Sequence, residues 1–378
     1  MIRSDKRCKG CGACSYACPT NAIEMTADEY GFSYPKVNRD LCIDCGKCDS
    51  VCLIDNKTLL ARDEIENYYA ACLKNPKELL NVSSGGVFWA LANQVINNNG
   101  IVYGASAVAA GIVEHKRAET LEEVLDMRKS KYLVSSLMGV FEDLKRDVAG
   151  GRIILFSGLP CQIAAIYSCL GYRPDNLITC EVVCHGCPSP LAFNSFLGEI
   201  EKEKNSSVTG IDFRDKTAKW KHNQYAISFS DGSVEKQSIL INPYHKAYLD
   251  GLILRECCVS CEFSGLPRIA DITLADFWLY RGDLLKKSEE NGVSLVVCTG
   301  KRGRELVEGS QDMLFIEEAN RELAIKSCYH LTHPPKRNVF RNLFLKNVSR
   351  YGLTYAGKRY TRLHSFIARN LQRAMSWL

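Results

Sequence analysis

Nineteen cysteines punctuate a chain of 378 residues, and their spacing is the sequence's first chemical statement. Cys8, Cys11, Cys14 and Cys18, followed by Pro19, form C-x2-C-x2-C-x3-C-P, and Cys42, Cys45, Cys48 and Cys52 repeat the interval. Three thiolates spaced by two residues can wrap one loop around three irons of a 4Fe-4S cubane. The fourth cysteine starts a short helix pointing away and ligates the other cluster. The sets are therefore expected to cross, Cys8, Cys11 and Cys14 with Cys52, and Cys42, Cys45 and Cys48 with Cys18. Gly10, Gly12 and Gly46 fit this reading, because small residues let backbone N–H groups approach cluster sulfurs. A zinc module normally needs four ligands in two pairs, which two complete runs of four exceed.

A second set lies downstream: Cys161 in GLPCQ, Cys184 and Cys187 in CHGCPSP, and Cys257, Cys258 and Cys261 in RECCVSC. Reduced thiols gathered at loop ends beside an iron-sulfur domain point to metal ligation, whereas the isolated Cys72, Cys169, Cys298 and Cys328 read as small apolar packing. Ser83-Ser84-Gly85-Gly86 precedes the helical pattern VFWALANQVI. Such a helix start suits a phosphate or a flavin ring edge, or serves as a plain N-cap with glycines allowing close packing. No G-x-G-x-x-G follows a strand and no G-x4-G-K-S/T occurs, which disfavours an NAD-dependent Rossmann dehydrogenase and a P-loop. No arrangement of Ser, His and Asp stands out: His185 sits between cysteines, and His330 and His333 lie near the tail.

The elements that must position these residues alternate. After the connector Lys57 to Asp63, the strand-like IVYGASAV, an amphipathic stretch from Tyr132 to Val148 and a strand from Arg152 to Ser157 follow. A helix from Cys161 to Leu170, a strand from Leu177 to Cys184 and a helix from Leu191 to Lys204 come next. This predicts a mixed or parallel sheet with covering helices. Cys161 and Cys184 then fall at strand–helix junctions, the edge where open sheets build sites.

With 46% hydrophobic and 24% charged residues, the chain can build a sizeable core and is not wholly disordered. The N-terminus lacks the apolar stretch of a signal peptide, and no window offers eighteen consecutive apolar residues, so a cytosolic protein with reduced thiols is expected. Charge is unevenly placed. No Asp or Glu follows Glu322, while eleven Lys and Arg do. From Arg359, Leu363, Phe366, Ile367, Leu371, Ala374 and Leu378 recur at helical spacing, with Arg362, Arg369 and Arg373 elsewhere on the helix. This basic amphipathic tail either docks on the body or meets a membrane surface or partner. Nucleic acid is not expected, since no recognition motif accompanies the charge.

Residues 1–60 resemble the bacterial two-cluster ferredoxins, with Leu53 in place of the proline expected after the second run. Further on, SSGGVFWAL, KSKY at Lys129 to Tyr132, ILFSGLPCQIAAI, VVCHGCPSP, FRDK with Trp220, RECCVSCEF and RIADITLADFW follow one another over roughly residues 75 to 280. In that order they resemble the coenzyme F420-reducing hydrogenase beta-subunit family. The fusion to a ferredoxin resembles the electron-input subunit of F420H2 dehydrogenase. The resemblance implies an α+β ferredoxin domain (1–60), an α/β mixed-sheet flavin-binding body (61–330) and a helical basic tail (331–378). It implies two 4Fe-4S clusters, a third ligated by Cys161, Cys184, Cys258 and Cys261, and FAD near Ser83, Ser84, Gly85, Gly86 and Lys131. Cys187 and Cys257 depart from the family pattern, so which of Cys257 and Cys258 ligates stays open. Asp276 is either a flavin-proximal acid or a residue that holds a turn. The implied activity is a cytoplasmic, or membrane-peripheral, oxidoreductase. It would exchange a hydride through FAD with coenzyme F420 or an unidentified glycan-pathway substrate, and single electrons with a ferredoxin. The alternative is a non-catalytic electron-transfer subunit docking a separate catalytic partner.

Overall fold

Runs that are apolar on both faces, such as those around Ala70 to Leu73 and Leu295 to Cys298, belong in the middle of a covered sheet, and there the computed structural model places them. It describes residues 6–54 and 66–360. The N-terminal unit is a two-stranded hairpin, β1 (Ile23–Ala27) and β2 (Ser33–Val37), flanked by the one-turn helices Ala13–Tyr16 and Lys47–Ser50. Each of these helices starts at a glycine with positive φ, Gly12 at 80° and Gly46 at 72°. A side chain is strained in that conformation.

The body is an eight-stranded mixed sheet. Its strands are β3 (Glu66–Leu73), β4 (Ile101–Ala109), β5 (Ile112–Ala118), β6 (Ile154–Gly158), β7 (Leu177–Val182), β11 (Ile272–Asp276), β12 (Ser294–Thr299) and β13 (Leu314–Glu318). The order is β13-β3-β12-β11-β7-β6-β4-β5. β11, β7, β6 and β4 run parallel at the centre, and the outer pairings are antiparallel. Helices cover both faces. Val87–Asn97 and Lys301–Glu308 pack into one apolar layer, and Phe141–Ala149 and Pro160–Leu170 into the other. A separate three-stranded sheet, β8 (Val208–Asp215), β9 (Gln224–Phe229) and β10 (Val234–Ser238), packs with helices Pro190–Lys204 and Pro243–Leu249 around a second aromatic core.

The helices and strands expected between Val87 and Lys204 are present. The amphipathic stretch from Tyr132 to Val148 is helical from Phe141 onward; ahead of the helix Tyr132 to Ser135 line a cavity, and Leu137 and Val140 are buried in the core. Beyond Pro335 the chain returns to the body. Helix Arg341–Tyr351 buries Phe344, Leu345 and Val348 in the aromatic core. The amphipathic pattern beyond Tyr360 lies outside the described residues. Among those described, no helix is long and apolar enough to cross a membrane.

The N-terminal unit is seated firmly on the body. Arg255, 4% exposed, donates from Nε to the Cys8 carbonyl and from a terminal nitrogen to the Ser33 carbonyl, both at 2.8 Å. Its guanidinium lies 4.2 Å from the Tyr34 ring centroid. Ser168 donates to the Val51 carbonyl at 3.0 Å, and Ser189 to the Tyr30 carbonyl at 2.7 Å. The arginine that introduces RECCVSC is thus the clamp joining the two cysteine-bearing units.

Candidate functional site

The N-terminal cysteines gather as two crossed groups. Cys18 lines one recess with Cys42, Cys45 and Cys48, while Cys11 and Cys14 lie within electrostatic reach of Cys8 and Cys52. The two groups differ in setting. Burial, with the neighbouring thiols, pushes Cys11 up to about 11 and Cys14 up to about 12. At Cys18 burial works the same way, but hydrogen bonds from Thr20, Ala22 and Ile23 outweigh it and hold the thiol below its usual value. The Ala22 N–H reaches its sulfur at 3.2 Å. Cys45 is exposed, and Leu41 and Ile43 beside it are 49% and 63% exposed.

The second set converges at the carboxyl edge of the central strands. β6 delivers Cys161 to the first turn of helix Pro160–Leu170, and β7 runs out into Cys184 and Cys187. The 3-10 turn Glu256–Ser260 brings Cys257 and Cys258, with Cys261 immediately after. All six cysteines line one recess with Lys9, Arg268 and Gly186. Two backbone donors point at sulfurs there: Gly186 N–H to Cys184 at 3.2 Å and Cys187 N–H to Cys258 at 3.3 Å. Burial is the main cause raising Cys161, with Cys184, Cys261 and Cys258 adding to it. Burial likewise lifts Cys184 to about 12.

Such thiols stay protonated unless a cation replaces the proton. No group of three or more His, Cys, Asp or Glu among the described residues closes on a single metal ion. Six thiols, backbone N–H donors and cationic neighbours fit a 4Fe-4S cluster.

Beside this recess opens a cavity of about 640 Å³, within the range of small-molecule and cofactor sites. It draws on the carboxyl ends of all four parallel strands: Gly104 and Ala105 of β4, Ser157 and Gly158 of β6, Val182 to Cys184 after β7, and Leu274 to Asp276 of β11. Ser83, Ser84, Gly86 and Lys131 line it, as do the first-turn residues Val87, Phe88 and Trp89 of an eleven-residue helix. First-turn N–H groups have no intrahelical acceptor and favour an anion. Arg128 and Lys131 stand nearby, so this end fits a phosphate-bearing cofactor.

The cavity is also lined by Cys184 and Cys187, which line the six-thiol recess as well. His185 lies between them. Its Nδ1 is 2.7 Å from His330 Nε2 and its Nε2 is 3.1 Å from the Tyr248 carbonyl. Burial, then His330, push it down to about 4.

Several expected contacts take different roles. Gly85 does not line the cavity; a Cβ there would stand 2.2 Å from the Ala71 carbonyl and 2.7 Å from the Ser294 nitrogen. Its glycine serves packing of the turn onto β3 and β12, and Gly85→Ala is expected to destabilise the protein by about 3 kcal/mol. A fall in thermal midpoint would register it. The Ser83 hydroxyl accepts from the Ser130 N–H at 2.8 Å, and Ser84 donates to the Val293 carbonyl at 3.2 Å. Asp276 accepts from both terminal nitrogens of Arg214 at 3.0 Å and from Trp220 Nε1 at 3.0 Å. Burial alone would raise its carboxyl, but Arg214 holds it below the usual value. Asp276 therefore positions Arg214. Cys328, read as simple packing, lines the cavity together with His330.

Sequence reading missed Lys9, Arg214, Asn223 and Tyr248, which all face the recess or the cavity. Only Arg214 stood inside a quoted motif, FRDK.

Residues 151–322 match the family model for the C terminus of the coenzyme F420 hydrogenase/dehydrogenase beta subunit. Residues 7–56 match one described as a 4Fe-4S dicluster domain. A search of curated proteins finds no match. Among solved structures, a chain of the F420-reducing NiFe hydrogenase complex from Methanosarcina barkeri is similar at 17% identity. That match covers 71% of this chain and 90% of that chain, with a TM-score of 0.49. The resemblances drawn from the motifs are thus borne out over residues 7–56 and 151–322.

Proposed function

We propose that this chain is an iron-sulfur flavoprotein that exchanges a hydride with a small substrate in the large cavity and single electrons with a ferredoxin-like partner. The observation that carries the reading is the shared wall: Cys184 and Cys187 line both the six-thiol recess and the cavity. FAD, when bound, would supply the conversion between two-electron hydride chemistry and one-electron transfer that clusters alone cannot make. This chain's residues have separate tasks around it. Val87 to Trp89 N–H groups, Arg128 and Lys131 would hold its phosphates. Trp278 and Tyr248, which line the same cavity, would flank its ring, and Asp276 fixes Arg214.

The cysteine groups form a series. The group of Cys18, Cys42, Cys45 and Cys48 is the more exposed and suits exchange with a partner. The group of Cys8, Cys11, Cys14 and Cys52 stands between it and the six-thiol recess, to which Lys9 and Arg255 tie it. We assign Cys161, Cys184, Cys258 and Cys261 to a third cluster, with Cys187 and Cys257 immediately beside it.

Lys9 comes from the N-terminal unit yet lines the recess of the body. Its ammonium favours the more negative, reduced cluster. Lys9→Met is therefore expected to lower the potential of the third cluster, and Lys9→Arg to preserve it, in an EPR-monitored redox titration. An unchanged potential in Lys9→Met would mean that solvent screens the charge.

The function is tested by mixing the anaerobic, oxidised protein with reduced coenzyme F420. Bleaching of the flavin and cluster absorbance identifies the deazaflavin as hydride donor. No bleaching with FAD and clusters intact removes the deazaflavin and leaves another substrate. A protein with clusters but no flavin is a relay subunit serving a separate catalytic partner.

A further inference from the structure

Two residues that line the cavity each carry a buried side-chain atom with no hydrogen-bond partner: Arg214 Nε and Asn223 Oδ1. Their residues are 6% and 1% exposed. Arg214 lies on β8 and Asn223 immediately precedes β9, next to the Asp215–Gln224 pair that ends the ladder; both residues line the cavity.

The arginine is held rigidly. Its terminal nitrogens grip both oxygens of Asp276 at 3.0 Å, and one also reaches the Tyr132 hydroxyl at 3.1 Å. Asp276 thereby neutralises the guanidinium and leaves Nε as its nitrogen without a hydrogen-bond partner. Asn223 contributes its backbone carbonyl to the Ile239 N–H at 3.3 Å, and its side-chain oxygen remains an acceptor. Beside them Trp278 stacks on Trp220 at 4.5 Å with an interplanar angle of 5°, and the Arg214 guanidinium lies 5.9 Å from the Trp278 ring. Trp278 also lines the cavity and gives it a flat wall.

We infer that Arg214 Nε–H and Asn223 Oδ1 together read the –CO–NH– edge of a planar ring imide. Arg214 donates to a ring carbonyl, and Asn223 accepts the adjacent ring N–H. A buried donor and acceptor left unpaired are costly, and an imide edge satisfies both at once. A carboxylate does not fit, because it brings no proton for Asn223 and meets an arginine whose charge Asp276 has already taken. The pyrimidine rings of a flavin and of a 5-deazaflavin both carry this edge at N3. The chemistry is therefore shared by the cofactor and one candidate substrate, and the inference rests on the function proposed above.

Methylating N3 removes the proton that Asn223 would accept and leaves the rest of the ring unchanged. The experiment measures affinities of flavin-depleted, cluster-replete protein for FAD and its N3-methyl analogue. A parallel set on the flavin-loaded protein compares 5-deazariboflavin with its N3-methyl analogue. Tryptophan fluorescence quenching reports binding in the first, and perturbed deazaflavin absorbance in the second.

The wild-type protein should bind one N3-methyl compound about tenfold more weakly than its parent. In Asn223→Leu that penalty should vanish. A penalty on the FAD analogue assigns the pair to the cofactor, and a penalty confined to the deazaflavin assigns it to the substrate ring. A protein that binds FAD but shows no methyl penalty in either set overturns the inference and leaves the proposed function standing. A penalty that survives in Asn223→Leu also overturns it. A protein that binds neither ring removes the function and the inference with it.

Discussion

Replacing Cys161 with serine is expected to remove about four of the protein's irons and to cut electron flow between the N-terminal clusters and the cavity. Cys161 enters the recess from the first turn of helix Pro160–Leu170, and its nearest charged neighbours would be the thiolates of Cys184, Cys261 and Cys258. A hydroxyl is a poor substitute ligand for iron and leaves the other thiols buried without a counter-charge. Iron analysis should fall by about one third, and reduction of bound flavin through the clusters should drop to background. Direct hydride transfer from substrate should persist. Full iron content in Cys161→Ser would remove Cys161 from the ligand set and turn attention to Cys187 or Cys257, which line the same recess.

The second large effect is expected at Cys18. Although it belongs to the first run in sequence, it lines the recess of Cys42, Cys45 and Cys48. Cys18→Ser should therefore destroy the exposed cluster, with loss of about four irons, while the EPR signal of the inner N-terminal cluster survives. Exchange with a ferredoxin should fail, but internal transfer between the inner clusters and the flavin should not. Loss confined to the cluster bound by Cys8, Cys11 and Cys14 would show that the ligand sets are not crossed.

The parts of this site that were legible in the sequence are those written in short spacings. The two cysteine runs carry their crossing in the interval itself, although the fourth thiol does not start a helix as expected: the one-turn helices Ala13–Tyr16 and Lys47–Ser50 hold the third cysteine of each run, and Cys18 and Cys52 follow them, away from their own loops. GLPCQ and CHGCPSP announce themselves because each follows an apolar run that becomes a buried strand, β6 and β7. The covered sheet was equally readable from its apolar runs.

What was not legible depends on long-range apposition. Lys9 faces Cys257 and Cys261 only because Arg255 binds the Cys8 loop to the body, 247 residues away in sequence. Arg214 on β8 and Asn223 just before β9 meet only at the cavity they both line, and nothing in FRDK marks which arginine nitrogen is left unpaired. Gly85 looked like its neighbours in SSGG, but the close approach of Ala71 gives it a packing task. The amphipathic stretch before Phe141 is not helical: Tyr132 to Ser135 line the cavity while Leu137 and Val140 enter the core.

The measurement that tests the central claim most directly is the cofactor content of the full-length protein purified without oxygen. Three cysteine-held clusters and a flavin beside the third predict about twelve irons, about twelve acid-labile sulfides and one FAD per chain. About eight irons and no flavin would contradict it, leaving a two-cluster ferredoxin joined to a body whose cavity and six cysteines serve another purpose.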